Sequence, residues 1–341
     1  MKKGEVDKQC LGKVLVFQPG NDYNKPHLRE EIFKMTSYAY FHKQFVPLAE
    51  AKIGVMTHCI HYGTAVFEGI RGNWNSEQQQ IYLFRLKEHY KRLHNGCRVL
   101  KIDLPYTIDE LCQITIELVG RCGFQEDIYV RPLAYKSSEA LGVRLHNLDS
   151  DFLIFIIPWG PYLDVDKAKC GISSWRRPAD NVIPPQAKIT GLYANNALAK
   201  TEAIENGFDE AIMLTPDGHV SEGSGENIFL VIDGKLVTPA SYNNILMGIT
   251  RNTVIELAQN ELGIETIERP VDRSELYMAE EGFLTGTAAH ITPIAEVDHR
   301  KIGNGEIGEI TRKLQKIYSD VIQGKNPKYL DWCTPAYKKS A

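Results

Sequence analysis

The sequence lacks the materials of a disulfide framework. Its seven cysteines, an odd number, are scattered from Cys10 to Cys333 with no Cys-x-x-Cys pair. That pattern excludes a small stapled fold and reads as reduced thiols in a cytoplasmic protein. Long apolar runs are missing too. The longest, Phe152 to Ile157, has the length of a buried strand, far short of the roughly 20 residues that cross a bilayer. Neither sign of charge dominates: 39 basic residues against 43 acidic ones give a net of -4. Neither nucleic acid nor an anionic membrane is therefore an expected partner. Glu5, Asp7 and Lys8 occupy the place where the apolar part of a signal peptide would begin. There are no internal repeats. His58 and His61 have no third and fourth ligand in view, so no metal site is expected.

What is present is an ordinary globular composition, 43% hydrophobic and 24% charged over 341 residues, enough for one large domain or two ordinary ones. Residues 1–45 are mixed and polar and read as an N-terminal extension. From there strands and helices alternate. Ile81–Leu86 reads as a strand, Glu88–Val99 as a helix, and Thr107-Ile108-Asp109-Glu110 as a capping box opening a helix to about Gly120. Ile128–Tyr135 and Phe152–Ile157 are rich in strand formers. The breaker cluster Pro158-Trp159-Gly160-Pro161 and the polar stretch after it read as a connection over 159–170. This divides a small domain, 46–158, from a larger one, 171–341. In the second, a helix is expected from Leu192 to Asn206. Turns at Pro216-Asp217-Gly218 and Asp233-Gly234 suggest a β-meander. A helix capped by Thr250 runs to Gly263, and another covers 311–321. Two α+β domains meeting at a ligand-binding crevice are the simplest arrangement.

Three segments carry chemistry. In Ile183-Pro184-Pro185-Gln186-Ala187-Lys188-Ile189-Thr190-Gly191, prolines stiffen the approach to Lys188. A lysine that attacks an aldehyde must be partly neutral, with its pKa drawn down towards about 7–8. By itself the segment is equally an ordinary loop. Ser221-Glu222-Gly223-Ser224-Gly225-Glu226-Asn227 offers two carboxylates on one side of an extended chain, and the spacing does not choose between them. Gly248-Ile249-Thr250-Arg251 leads into a helix, and Gly286-Thr287-Ala288-Ala289 follows a strand. Both are rich in free N–H groups suited to an anion. Tyr62, Phe67, Tyr129, Tyr162 and Tyr193 line either a core or a pocket.

Taken in order, these segments resemble the branched-chain amino acid aminotransferases, fold type IV pyridoxal-phosphate enzymes. The likeness runs from about Ala51 to Val297. It includes His61-Tyr62-Gly63-Thr64-Ala65-Val66-Phe67-Glu68-Gly69-Ile70-Arg71, Arg92, Tyr129-Val130-Arg131-Pro132, Leu141-Gly142-Val143-Arg144 and Pro158-Trp159-Gly160, besides the three segments above. The resemblance implies a small N-terminal α/β domain, a larger pseudo-barrel domain, and a homodimer or higher homo-oligomer whose active site is completed by the neighbouring chain. Lys188 would hold pyridoxal 5'-phosphate as a Schiff base and shuttle the proton, and Glu222 would face the pyridine nitrogen. Arg92, Ile249, Thr250 and Thr287 would hold the phosphate, with Leu246 and Tyr193 against the cofactor. Thr287 and Ala288 would bind the substrate α-carboxylate, helped by Tyr129. Tyr62, Phe67, Tyr162 and Tyr193 would line the side-chain pocket, Gly69 would leave it room, and Arg131 would take the distal carboxylate of glutamate. The implied reaction moves the amino group of L-leucine, L-isoleucine or L-valine to 2-oxoglutarate. D-amino-acid and (R)-amine transaminases and aminodeoxychorismate lyases share this fold. Tyr129-x-Arg131-Pro132 and Phe67-x-Gly69 favour the branched-chain type. A non-catalytic binding protein on the fold would have lost the lysine or the carboxylate, and both remain. Met247 departs from the family's usual proline, His290 from its usual glutamate, and the N-terminal extension from compact members.

Overall fold

The computed structural model describes residues 37–160 and 165–337. Two mixed α/β layers are built on two sheets. The first sheet is eight-stranded, in the order β17-β5-β4-β6-β7-β1-β2, with β3 paired to β6. Its strands are β1 (Tyr38–Phe41), β2 (Gln44–Pro47), β3 (Ala65–Phe67), β4 (Ile70–Asn75), β5 (Gln80–Phe84), β6 (Ile128–Lys136), β7 (Ser150–Pro158) and β17 (Cys333–Pro335). A short helix, α1 (His58–Tyr62), precedes β3. Two longer helices, α2 (Leu86–Val99) and α3 (Ile108–Cys122), pack on the sheet around Leu83, Leu93, Leu111, Leu118 and Val130. The capping box at Thr107 is formed in both directions. Glu110 N donates to Thr107 Oγ1 at 3.2 Å, and Thr107 N donates to Glu110 Oε2 at 2.7 Å.

The second sheet has nine strands, in the order β10-β9-β8-β15-β14-β11-β12-β13, with β16 paired to β15. These are β8 (Ala168–Ile172), β9 (Glu210–Leu214), β10 (Val220–Gly223), β11 (Asn227–Ile232), β12 (Lys235–Thr238), β13 (Thr266–Glu268), β14 (Glu281–Gly286), β15 (His290–Val297) and β16 (Arg300–Lys301). It curls into a half-barrel. Although β10 and β11 are far apart in strand order, Gly223 N donates to Glu226 O at 2.6 Å and draws the end of one to the start of the other. The half-barrel is wrapped by α4 (Tyr193–Glu205), α5 (Ile249–Leu257), the short α6 (Glu275–Met278) and α7 (Glu309–Ile322). β5 joins the two layers by simple alternation. Ile81 and Leu83 enter the core of the first sheet, while Tyr82 and Phe84 enter that formed with Phe229, Phe283 and Leu314.

Several sequence expectations are corrected. Residues 38–45, read as extension, form β1 and part of β2, and β1 pairs with β7. The stretch 159–170 read as a connection already contains the start of β8. Near the other end, β17 returns to pair with β5 in the first sheet. The turns at 216–218 and 233–234 do join antiparallel strands, but β10 pairs with β9 and not β11, so there is no continuous meander. The helix expected to be capped by Thr250 starts two residues earlier, at Ile249. Gly248 is its N-cap, and it runs through a π-turn, Ala258–Leu262, to Gly263.

Candidate active site

Lys188 is placed by what flanks it. Ala187 and Ile189 are buried in the core of the first sheet, which turns the residue between them toward the crevice. Its carbonyl accepts from Phe67 N at 3.0 Å, tying the segment to β3. A 3-10 turn, Thr190–Leu192, then carries the chain into α4, whose first residue is Tyr193. Lys188 Nζ donates to Tyr193 Oη at 2.5 Å. Burial, and then the Arg92 charge, lower the lysine to about 8. Burial, with Glu222 nearby, pushes the Tyr193 phenol up. Phe67 meets Tyr193 edge-on, with ring centroids 4.6 Å apart.

The opposite wall is a buried polar network. Glu222 on β10 is held at both oxygens: Arg177 Nη2 lies 2.6 Å from Oε1, while Asn227 Nδ2 and Leu246 N donate to Oε2 at 2.9 and 3.0 Å. Arg177 also donates to Asn196 Oδ1 at 2.7 Å. Burial pushes Glu222 up, and Arg177 acts against that. Glu226 is placed differently. Its Oε2 accepts from Gly225 N at 3.0 Å, and burial beside Glu210 pushes it up to about 8.

At one end of the pocket the first backbone bond of α5 runs from Asn252 N to Gly248 O. The N–H groups of Ile249 and Thr250 precede it and have no partner within the helix, a set suited to an anion, and both residues line the pocket together with Gly286, Thr287 and Ala288. Glycine at 248 leaves room for Asn227. A Cβ there would lie 2.0 Å from Asn227 Oδ1. The cation at this end is Arg92. It donates to Met247 O at 2.9 Å and bidentately to the fully buried Glu68 at 2.6 and 2.8 Å, with His89 Nδ1 2.7 Å from the same carboxylate. Burial would raise Glu68, but Arg92 and His89 outweigh it and hold the carboxyl well below the usual range. Arg251 turns away to Glu268 at 2.6 Å.

The remaining wall comes from the first sheet. Arg131 Nη2 donates to Tyr129 Oη at 3.2 Å, and the guanidinium lies 4.6 Å over the Phe67 ring. Gly69 is where Tyr129 enters, since a Cβ would come 1.8 Å from the phenol oxygen. Among the described residues Arg131 has no carboxylate partner, and its Nε is buried without an acceptor.

A lysine of depressed basicity, a fixed buried carboxylate and a helix N-terminus thus share one pocket. The profile of the family Amino-transferase class IV matches residues 65–297. The chain belongs to the class IV aminotransferases. A probable branched-chain-amino-acid aminotransferase of Aquifex aeolicus is 50% identical over 303 residues, 89% of this chain and 97% of that protein. A branched-chain aminotransferase of Thermoproteus uzoniensis, solved with norvaline, superposes with a TM-score of 0.85 at 44% identity, covering 88% of this chain and all of that one. The branched-chain amino acid aminotransferase of Thermobaculum terrenum, solved in its PLP form, superposes at 0.85 with 39% identity, covering 89% of this chain and all of that one. These relatives belong to the family that the sequence resembles.

Within this class IV aminotransferase the pocket brings together Gly69, Arg92, Tyr129, Lys188, Tyr193, Glu222, Leu246, Ile249, Thr250, Thr287 and Ala288. Phe67 and Arg131 reach it through their ring contacts with Lys188 and Tyr129. Tyr62 is not brought in. Its ring packs on His58, and its oxygen accepts from Gly142 N at 2.9 Å, on the outer face. Tyr162 lies outside the described residues. Sequence reading missed Arg177, Asn196 and Glu68, which hold the walls in place. Arg177 had one signal, the basic pair in Trp175-Arg176-Arg177-Pro178. Glu68 was in view inside the first motif but carried no role.

Proposed function

We propose that this enzyme transfers the amino group of L-leucine, L-isoleucine or L-valine to 2-oxoglutarate, using pyridoxal 5'-phosphate bound through Lys188. The residues present fit that cofactor. A lysine drawn down to about 8 suits its aldehyde, a carboxylate locked by Arg177 and Asn227 suits its ring nitrogen, and the N-terminus of α5 with the Gly286–Ala288 turn suits its phosphate. When bound, the cofactor supplies an electron sink for charge developing at the substrate Cα. The protein's part is positioning and proton transfer. Lys188 Nζ takes and returns the Cα proton, and Tyr193 Oη, 2.5 Å away, steadies the amine. Arg92, fixed by Glu68, adds positive charge at the phosphate end.

The observation that carries the substrate reading is Arg131. It is a cation stacked on Phe67 and bonded only to a phenol among the described residues, in a wall otherwise aromatic. Such a wall accepts a branched aliphatic chain and also supplies a partner for a second carboxylate. A buried unpaired charge is costly, and the Tyr129 and Phe67 contacts compensate for it while an apolar substrate is bound. Steady-state rates with 2-oxoglutarate on L-leucine, D-alanine and (R)-1-phenylethylamine test the reading. L-leucine should be fastest, and faster turnover of either alternative would overturn it.

The same reading includes a homodimer. Val55, Met56, Ile60, Leu141 and Val143 are exposed, Val143 to 92%, on one surface where α1 and the 139–143 loop meet. Apolar side chains grouped in this way are characteristic of an association surface. No helix among the described residues is long and apolar enough to cross a membrane.

A further inference from the structure

We propose that His290, whose Nε2 is buried without a partner among the described residues at the end of the pocket-lining turn, leaves the Tyr129 wall of the pocket cationic and thereby tunes the enzyme toward substrates with a second carboxylate. The inference rests on the pyridoxal-phosphate transaminase reading above and goes beyond it by giving a role to two residues outside the pocket lining.

The starting point is the turn between β14 and β15. Gly286 pairs with His290 across the hairpin, so Thr287, Ala288 and Ala289 form the turn that lines the pocket. His290 ends that turn at φ 56°, in the left-handed region, which a residue with a side chain adopts at a cost. Its imidazole ring centroid lies 5.8 Å from that of Tyr318. Its Nε2 is buried with no hydrogen-bond partner among the described residues. Burial, and then the neighbouring Arg71 charge, push the imidazole down to about 4. Asp127 acts weakly in the other direction. At neutral pH this residue therefore contributes a ring and no charge.

Arg71 is the consequence. It is paired in register with Tyr129 across β4 and β6, and Arg131 lies two residues beyond Tyr129, so the three share one face of the sheet. Arg71 donates to Gly160 O and to Asp127 Oδ2, each at 3.1 Å, while its Nε is buried without a partner among the described residues. Asp127 is 41% exposed, so water screens much of its compensation. Trp159, whose ring is 5.3 Å from Tyr129, likewise has its Nε1 buried without a partner among the described residues. In and behind this wall, among the described residues, two guanidiniums, one indole N–H and one neutral imidazole thus stand against one partly exposed carboxylate, Asp127. A glutamate in place of His290 would cancel one of the two charges. Histidine leaves both.

The test uses the cofactor-loaded enzyme and two unreactive acids, glutarate and 4-methylpentanoate, titrated calorimetrically. Each carries one carboxylate for the α-carboxylate site, so the ratio of their affinities isolates the second. His290→Glu adds a negative charge two residues from Ala288, so it should weaken both acids through the shared carboxylate, and glutarate, which carries a second, about tenfold more than 4-methylpentanoate. His290→Gln should leave the ratio at the wild-type value. Asp127→Asn keeps the oxygen that accepts from Trp74 N and removes the opposing charge, so it should tighten glutarate several-fold. Equal weakening of both acids by His290→Glu, or the same change with His290→Gln, would overturn the proposal. Should His290→Glu fail to fold, an unchanged ratio in Asp127→Asn overturns it alone. Failure of the underlying reading looks different. The wild-type protein would then bind no pyridoxal phosphate and transaminate neither leucine nor glutamate.

Discussion

At the scale of single residues, the central quantity is the basicity of Lys188. An ordinary lysine is almost wholly protonated at neutral pH and is a poor nucleophile. Here burial and Arg92 lower the ammonium to about 8. The sign follows directly: loss of the proton makes the reactive amine, so capture of the cofactor aldehyde should accelerate as pH rises toward 8 and level off above it. Rapid-mixing absorbance of the cofactor-free protein with added pyridoxal phosphate, from pH 6 to 10, measures this. A rate still climbing at pH 10 would mean an unperturbed lysine. Lys188→Ala should abolish the covalent band and reduce turnover by about 10²–10⁴-fold, the usual weight of a positioned acid–base group. None of this was legible at Lys188 itself, whose local sequence is that of a stiff loop. Its depressed basicity depends on Arg92, nearly a hundred positions away. Only the ordered family motifs made the sequence reading specific.

At the scale of elements, local signals were legible and long-range pairings were not. The capping box at Thr107 announces its helix because both partners lie within four residues. The β1–β2 hairpin is hidden for an equally local reason. His42 and Lys43 both adopt positive φ, 48° and 61°, where the sequence signal for such a turn is Asn-Gly. The separation of β10 from β11 in sheet order depends on β8 and β15 entering between other strands, which no window of sequence reveals. The start of α5 shows how an element and the site depend on each other. Thr250 looked like the cap, but Gly248 serves, and its lack of a side chain leaves room for Asn227. Gly248→Ala should push Asn227 aside and remove its bond to Glu222. A hydrogen bond to a charged group contributes about 1.5–3 kcal/mol, so cofactor affinity should fall by roughly ten- to a hundredfold. Fluorescence titration with pyridoxal phosphate measures it. Unaltered affinity in a folded Gly248→Ala protein would detach the helix start from the carboxylate.

At the scale of the whole molecule, Tyr62 poses the question the single chain leaves open. The family motif that contains it implies a place in the side-chain pocket, yet its ring packs on His58 at 4.6 Å, and its hydroxyl holds the Gly142 loop on the apolar outer face. Both facts are reconciled if that face is the dimer interface and Tyr62 serves the neighbour's pocket across it. A two-fold interface is self-complementary, so each chain would lend its Tyr62 while receiving the other's. Mixing two defective proteins decides the point. Tyr62→Ala and Lys188→Ala should each be impaired as homodimers. After unfolding and refolding together, half the dimers are mixed, and each mixed dimer has one pocket with an intact Lys188 and an intact Tyr62 from its partner. Activity should then recover to about a quarter of the wild-type level on a simple count of pockets in a two-fold dimer. If Tyr62 acts within its own chain, the pocket that keeps Lys188 always lacks Tyr62 and no recovery occurs. Val143→Asp, placing a charge at the most exposed point of the patch, supplies the control: it should shift light-scattering mass toward the monomer and remove the recovery with it.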